Sequence, residues 1–232
     1  MKKFVLLSFV CCSMVVFGQS ANAVIDKINA KLIAVKDYTV NANISADIPM
    51  IKIMPSNVKI YFKQKDKFKI ESKGIVIVPK QGFTELNNFI SNKSKYTAVF
   101  GESLVIRNVQ TKLINIIPNE SSGDIVLAKI WVDLSKSVIM KSQITTLSNG
   151  TVNVDYTYGD QIAKGLPSVM KFEIDVKKFK IPKSVASDIN NTANDKKKEA
   201  DKKRTKGTIT ITLSGYKINT GLSDAVFVKK KN

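Results

Sequence analysis

The chain has 232 residues and lacks histidine, and its only two cysteines are Cys11 and Cys12. With no imidazole and so few thiols, zinc and copper sites are disfavoured, and so are enzymes that need a histidine base or a cysteine nucleophile. The 37 basic and 19 acidic residues give a formal net charge of +18. That excess favours an anionic partner such as a membrane surface, although a lysine-rich surface that only keeps the protein soluble also explains it.

The N-terminus has the pattern of an export signal. Two lysines precede an apolar run over residues 4–17, and small residues at positions 21 and 23 form a cleavage signature. The run of about 14 residues is shorter than the about 20 that a permanent transmembrane helix needs. We therefore expect residues 1–23 to be a cleaved signal peptide, with a cut near Gln19 as the alternative. Residues 24–232 would then form a single exported domain.

The segment after this signal predicts one amphipathic helix followed by a strand. In residues 24–36, apolar side chains recur at spacings of three, four and three, which places them on one face of a helix. Residues 38–48 then alternate strictly between apolar and polar side chains, as is typical of a strand with one buried face. Further helix is scarce, and we expect only one or two turns at 84–90 and at 222–227.

Period-two alternation recurs along the rest of the chain and predicts roughly ten strands in all. The regular segments are 57–62, 67–71, 74–78, 151–158, 170–177 and 208–213, and the less regular ones are 95–100, 103–117 and 125–147. Short connections favour antiparallel pairing. So many twisted strands must curl or close, and the few helices cover the enclosed space only in part. A candidate apolar cavity follows, with a filled barrel or a two-sheet sandwich as the alternative.

The side chains predicted to face this cavity come from the same alternation. They are Val40, Ile44, Ile60, Phe62, Phe68, Ile70, Phe172, Ile174, Ile209 and Ile211. These residues offer only apolar contact, so a lipid or another hydrophobic molecule is the expected ligand. The same side chains also fit an ordinary core.

Nothing in the sequence indicates catalysis. Glu173 and Asp175 share one strand face, but Lys171 and Lys177 flank them, which favours an ion-paired outer surface. The sequence has no phosphate-binding glycine loop and no nucleophile elbow. Trp131 is expected in the core or in a cavity wall. We expect no cofactor, and an exported enzyme that acts through carboxylates alone is the remaining catalytic alternative.

The lysine-rich stretch 190–207 has no apolar face and predicts a solvated excursion between two strands. Electrostatic contact with an anionic membrane surface is the alternative. Nucleic acid is a disfavoured partner, because the chain is expected to be exported and Arg107 and Arg204 are its only arginines. Recognition of phosphates and bases favours arginine.

Five segments, in their order along the chain, resemble the LolA/LolB-like family of periplasmic outer-membrane lipoprotein carriers. They are "VIDKINAKLIAVKDYTVNANISA" (24–46), "NVKIYFKQKDKFKIESKGIVIVPKQG" (57–82), "AKIWVDLSKSVIMKSQI" (128–144), "GLPSVMKFEI" (165–174) and "INTGLSDAVF" (218–227). The resemblance spans almost the whole chain after the signal. It does not account for the 190–207 stretch, and no arginine aligns with the residue that holds the lid in some carriers.

The resemblance implies a mainly β (α+β) fold. This is a strongly curved antiparallel half-barrel, whose concave face is partly covered by the N-terminal helix and by short helices. It implies a monomeric, non-catalytic carrier that takes acyl chains of lipoproteins or related lipids from an inner-membrane donor to an outer-membrane acceptor. A sensor or adaptor on the same half-barrel, which binds a protein partner or released lipid, is the alternative.

Overall fold

The computed structural model describes residues 19–49, 51, 53–64, 67–72, 74, 76, 78–79, 85–120, 123–177 and 204–228. The apolar run of the expected signal peptide and most of the 190–207 stretch lie outside these residues, so both expectations stay predictions. The end of that stretch does belong to a strand, which begins at Lys206. Over the described ranges, no helix is both long enough and apolar enough to span a membrane.

The first helix, α1 (Ala21–Ala34), begins before the predicted start at residue 24. Ser20 accounts for the earlier start, because its hydroxyl accepts a hydrogen bond from the Ala23 N–H at 3.1 Å and so caps the helix. The apolar stripe of α1 is buried as predicted, with Val24 and Ile25 almost fully enclosed. Only one other α-helix, α2 (Leu86–Ile90), occurs in the described residues, together with short 3₁₀ turns.

Ten strands form one antiparallel sheet. They are β1 (Asp37–Asp47), β2 (Ser56–Lys63), β3 (Lys67–Glu71), β4 (Tyr96–Ile106), β5 (Val109–Pro118), β6 (Ile125–Asp133), β7 (Val138–Thr146), β8 (Gly150–Tyr158), β9 (Pro167–Asp175) and β10 (Lys206–Ile218). Their order is β3-β2-β1-β10-β9-β8-β7-β6-β5-β4. Among the described strands, β3 and β4 each pair on one side only, so the sheet stays open and the predicted half-barrel is confirmed. The predicted strand at 74–78 is wrong at its described positions, where Val76 and Val78 pack partly buried against the core.

The concave face of the sheet bears the hydrophobic core. Inward side chains of neighbouring strands stand in register across it, as in the row Ile209, Phe172 and Val154. α1 packs onto the same face, where Ile25 and Ile28 join the core. Full burial of a large apolar side chain contributes about 1.5–3 kcal/mol. The helix is therefore held mainly by this contact.

The convex face is polar, which agrees with the expected ion-paired surface. Glu173 lies there and accepts a hydrogen bond from Lys206 Nζ at 2.7 Å, which lowers the pKa of the Glu173 carboxyl. Trp131 also lies on this face, half-buried, with Lys141 Nζ 5.8 Å from its ring centroid. The expectation that Trp131 lines the core or a cavity is therefore wrong. Its neighbours Ile130 and Val132 occupy the core side, and alternation directs Trp131 outward.

Candidate ligand-binding site

All ten side chains predicted from the alternation lie in, or pack against, one hydrophobic core that also contains the buried face of α1. Seven of them are buried, and the remaining three, Phe62, Phe68 and Ile70, are partly buried. Cross-strand pairing brings them side by side, as between Ile44 and Ile211. In this conformation they pack against one another as core. Their role as ligand contacts stays a prediction.

A cavity of about 70 Å³ lies between α1 and one end of the concave face. Its lining consists of Ile28, Lys31, Leu32, Tyr38, Asn87, Ser137, Val138, Ile139, Tyr156, Tyr158, Gly165, Leu166, Pro167, Met170, Leu213 and Tyr216. None of the ten predicted residues is among them. The alternation does place Tyr38, Tyr156 and Tyr158 on the inward face. Several strands carry a tyrosine at the same end, and this feature of the sequence could have indicated the position of the cavity.

Three of the four tyrosines in this lining satisfy their hydroxyl groups within the protein. Tyr216 donates to the Pro167 carbonyl at 2.8 Å, and Tyr158 donates to the Ile139 carbonyl at 2.8 Å. The hydroxyl of Tyr156 lies 3.1 Å from Ser142 Oγ. These bonds join the ends of strands to nearby segments and hold the cavity wall in place.

Tyr38 differs from the other three. Its ring stacks on Phe62 with centroids 5.0 Å apart and meets Tyr216 edge-on at 5.6 Å, so its position is fixed. Its side chain is buried, with 9% of the residue exposed. Over the described part of the chain, no group forms a hydrogen bond with its hydroxyl, which lies in the cavity wall.

Burial raises the pKa of all four tyrosines, and the pKa of Tyr156 rises to about 12. The cause is the loss of water around the phenolate, which disfavours the charged form. Near neutral pH these hydroxyls therefore remain protonated. None of them can act as a base, and Tyr158 and Tyr216 already donate their hydroxyl hydrogens to backbone carbonyls.

The rim of the cavity is formed by polar contacts between distant segments. Lys31 Nζ of α1 donates to the Lys136 carbonyl in the β6–β7 turn. That turn is ordered by Asp133, which accepts hydrogen bonds from Ser135 and from the Lys136 N–H at 3.1 Å. The Arg107 guanidinium, in the β4–β5 turn, donates to the Tyr156 carbonyl.

Further contacts hold α1 over the sheet. Asn29 Nδ2 donates to the Ile90 carbonyl of α2 at 2.7 Å, and Asp26 pairs with Lys93 at 2.6 Å. The Asp26–Lys93 pair is solvent-exposed and contributes about 0–1 kcal/mol. α1 thus rests on a large apolar contact and a small number of polar contacts that water can replace.

Comparison with known proteins finds similarity in fold to several solved structures. No protein-family model and no curated protein matches the chain. A domain named as an outer membrane lipoprotein-sorting protein, from Vibrio parahaemolyticus, aligns with a TM-score of 0.57 and 9% identity over 89% of this chain and 95% of that one. A LolA superfamily protein from Nitrosomonas europaea aligns with a TM-score of 0.53 and 13% identity, over 91% of this chain and 99% of that one.

A third solved structure extends this similarity. A DUF1329 family protein from Desulfovibrio piger aligns with a TM-score of 0.52 and 12% identity, over 91% of this chain and 98% of that one. At such identities the comparison establishes the fold alone. The chain has the open half-barrel architecture of the LolA superfamily structure.

Proposed function

We propose that this protein is a periplasmic carrier that binds the acyl chains of a lipoprotein, or a related lipid, on its concave face. It would pass them toward the outer membrane without catalysis. The observation that supports this most directly is the apolar concave face of an open ten-stranded half-barrel with a helix packed over it. The shared fold with a domain named for lipoprotein sorting adds support. In this role the protein would act as a monomer. Its partners would be an inner-membrane donor and an outer-membrane acceptor.

Burial of an acyl chain provides enough free energy for the protein to bind a lipid tightly. Each methylene group removed from water contributes about 0.8 kcal/mol, so even a partly enclosed chain is a substantial ligand. The ten predicted core residues offer apolar surface of the right chemistry. Release of the lipid then requires an acceptor that buries the acyl chain equally well.

Binding of a whole chain requires α1 to move. The cavity of about 70 Å³ is less than half the roughly 150 Å³ that holds a benzene molecule in an engineered protein core. An acyl chain therefore needs the space that Ile25 and Ile28 now occupy. We infer that α1 is a lid that swings away when the lipid enters.

A disulfide that fixes this lid tests the proposal. A Cβ atom at Gly165 would lie 3.7 Å from Lys31 Cβ, which is within the range for a disulfide. In the exported Lys31→Cys/Gly165→Cys protein, we expect oxidation to abolish uptake of a fluorescent palmitoylated lipopeptide, and reduction to restore it. Because Gly165 has a φ of +70°, a cysteine there costs about 1–2 kcal/mol of strain.

The single variant Lys31→Cys is the matched control, and it should take up the lipopeptide under both conditions. Equal uptake by the oxidised double variant would show that α1 is not the lid. Failure of the unmodified protein to bind any lipopeptide would overturn the carrier function itself.

A sensor or adaptor on the same half-barrel is the second candidate. Edge strand β4 favours it, because Val99, Leu104 and Val105 are exposed along a strand that pairs only with β5 among the described strands. An open apolar edge of this kind can pair with a strand of another protein. Transfer of bound lipopeptide to acceptor vesicles separates the two functions, since a carrier transfers its lipid and a sensor retains it.

A further inference from the structure

The lining of the cavity beneath α1 includes one tyrosine hydroxyl, that of Tyr38, to which no described residue forms a hydrogen bond. The Tyr38 hydroxyl has no hydrogen-bond partner among the described residues, whereas Tyr156, Tyr158 and Tyr216 each have one. The Tyr38 hydroxyl is therefore free to donate to water or to a ligand in the cavity. A ligand atom that accepts this hydrogen bond would take the place of water.

The charges around the cavity indicate the sign of such a ligand. Among the described residues of the lining, Lys31 is the only charged one, and none of them carries a carboxylate. Arg107 adds a second cation at the same end, where it donates to the Tyr156 carbonyl. Within the described part of the chain, Lys31 Nζ bonds to a neutral carbonyl, that of Lys136. An anionic oxygen would be a stronger partner and could replace this carbonyl.

The size of the cavity indicates which part of a ligand it holds. Its volume of about 70 Å³ is less than half the roughly 150 Å³ that holds a benzene molecule. A carboxylate fits this space, and a long acyl chain does not. Met170 lines the cavity and pairs across the sheet with Ile211, so a chain attached to the carboxylate would continue directly onto the predicted apolar face.

We propose that this cavity is a headgroup site for a single-chain carboxylate, a fatty acid, with the Tyr38 hydroxyl and Lys31 Nζ donating to its oxygens. The proposal rests on the carrier function above and narrows its ligand class. The acyl chain lies along the concave face beneath a displaced α1. A rival arrangement places the methyl end of a chain in the cavity. It predicts that removing the Tyr38 hydroxyl leaves decanoate affinity unchanged or raises it, whereas the headgroup site predicts weaker binding.

Calorimetric titration with decanoate and with 1-decanol separates these arrangements, because the two ligands share a chain and differ in the head. We expect the unmodified protein to bind decanoate about tenfold more tightly than 1-decanol. Tyr38→Phe keeps the stacked ring and removes only the hydroxyl. It should weaken decanoate binding about tenfold and leave 1-decanol binding within about twofold. Lys31→Met should likewise weaken decanoate binding alone.

Two control variants match these changes outside the cavity. Tyr61→Phe removes a hydroxyl that bonds to Glu71 on the outer surface, and Lys27→Met removes a cation from the exposed side of α1. Both should bind decanoate as the unmodified protein does. If Tyr38→Phe binds decanoate with unchanged or higher affinity, the headgroup site is overturned. The same holds if decanoate and 1-decanol bind equally well.

The palmitoylated lipopeptide distinguishes failure of this inference from failure of the carrier function. Uptake of the lipopeptide without any preference for decanoate overturns the headgroup site and leaves the carrier function standing. Failure to bind decanoate, 1-decanol and lipopeptide alike overturns both.

Discussion

The two ends of the concave face are held together by different forces. At one end, which we call the packed end, Phe172, Ile174 and Ile209 are at most 1% exposed and fill the space between strands. At the other, the cavity end, tyrosine hydroxyls and a rim of polar contacts hold the walls around an unfilled space. Close packing tolerates little displacement, whereas rim hydrogen bonds can be exchanged for bonds to water at small net cost. We therefore expect the molecule to open at the cavity end rather than at the packed end.

The segment 220–224, which follows β10, also belongs to the cavity end. Asp37, next to Tyr38, accepts hydrogen bonds from the N–H groups of Thr220 and Gly221 at 2.8 and 3.0 Å. Asp224 pairs with both Lys63 and Lys67 at 2.7 Å. These contacts fasten the chain after β10 to β1 and to the β2–β3 hairpin. They are directional and polar, unlike the contacts of the packed end.

The largest expected effect comes from breaking the packed end. Phe172→Ala leaves a cavity among fully buried neighbours, so we expect a loss of about 3–5 kcal/mol in the free energy of unfolding. Urea denaturation measures it. Lys171→Ala, the adjacent exposed position on β9, is the control and should change stability by less than about 0.5 kcal/mol. A loss below about 1 kcal/mol for Phe172→Ala would mean that this end is not the rigid part of the fold.

A smaller effect is expected from Asp37→Ala at the cavity end. The change leaves the Thr220 and Gly221 N–H groups without their acceptor, and hydrogen bonds to a charged group contribute about 1.5–3 kcal/mol. We therefore expect a loss of about 2 kcal/mol in the same denaturation experiment, with faster lipopeptide uptake because the rim is loosened. Asp37→Asn, which keeps one acceptor, should lose less. Slower uptake in Asp37→Ala would contradict a rim that limits opening.

The smallest effect concerns Asp224 and depends on pH. Hydrogen bonds from Lys63, then Lys67, lower the pKa of the Asp224 carboxyl to about 2, whereas an unfolded aspartate titrates near about 3.9. Because the pKa is lower in the folded protein, the stabilisation is fully present above pH of about 4 and is lost as the pH falls toward about 2. Asp224→Asn should thus unfold at a lower temperature than the unmodified protein at pH 7.

That difference in unfolding temperature between Asp224→Asn and the unmodified protein should shrink as the pH falls below about 4. Thermal unfolding followed by circular dichroism at several pH values measures it. A difference that stays constant down to pH of about 2 would show that the ion pairs do not stabilise the fold.

Alternation in the sequence predicts the packed end well and the cavity end poorly. Phe172 and Ile209 follow directly from strict period two, because each strand there has one apolar and one polar face. Trp131 is an exception, because Ile130, Trp131 and Val132 are three consecutive apolar residues, and only Lys129, two residues earlier, indicates that the Trp131 face points outward. Alternation does not predict the cavity either, because its lining residues Lys31, Ser137 and Gly165 come from three segments far apart in the chain.

Local patterning in the chain is sufficient for the presence of α1, for most of the strands and for the inward face of most of them, because side-chain periodicity depends only on backbone geometry. Tertiary structure decides the rest. It places β1 beside β10, leaves β3 and β4 at the edges of the described sheet, and sets α1 over the concave face. The unfilled space beneath Tyr38 arises only there, because a cavity depends on how well side chains from distant segments fit together.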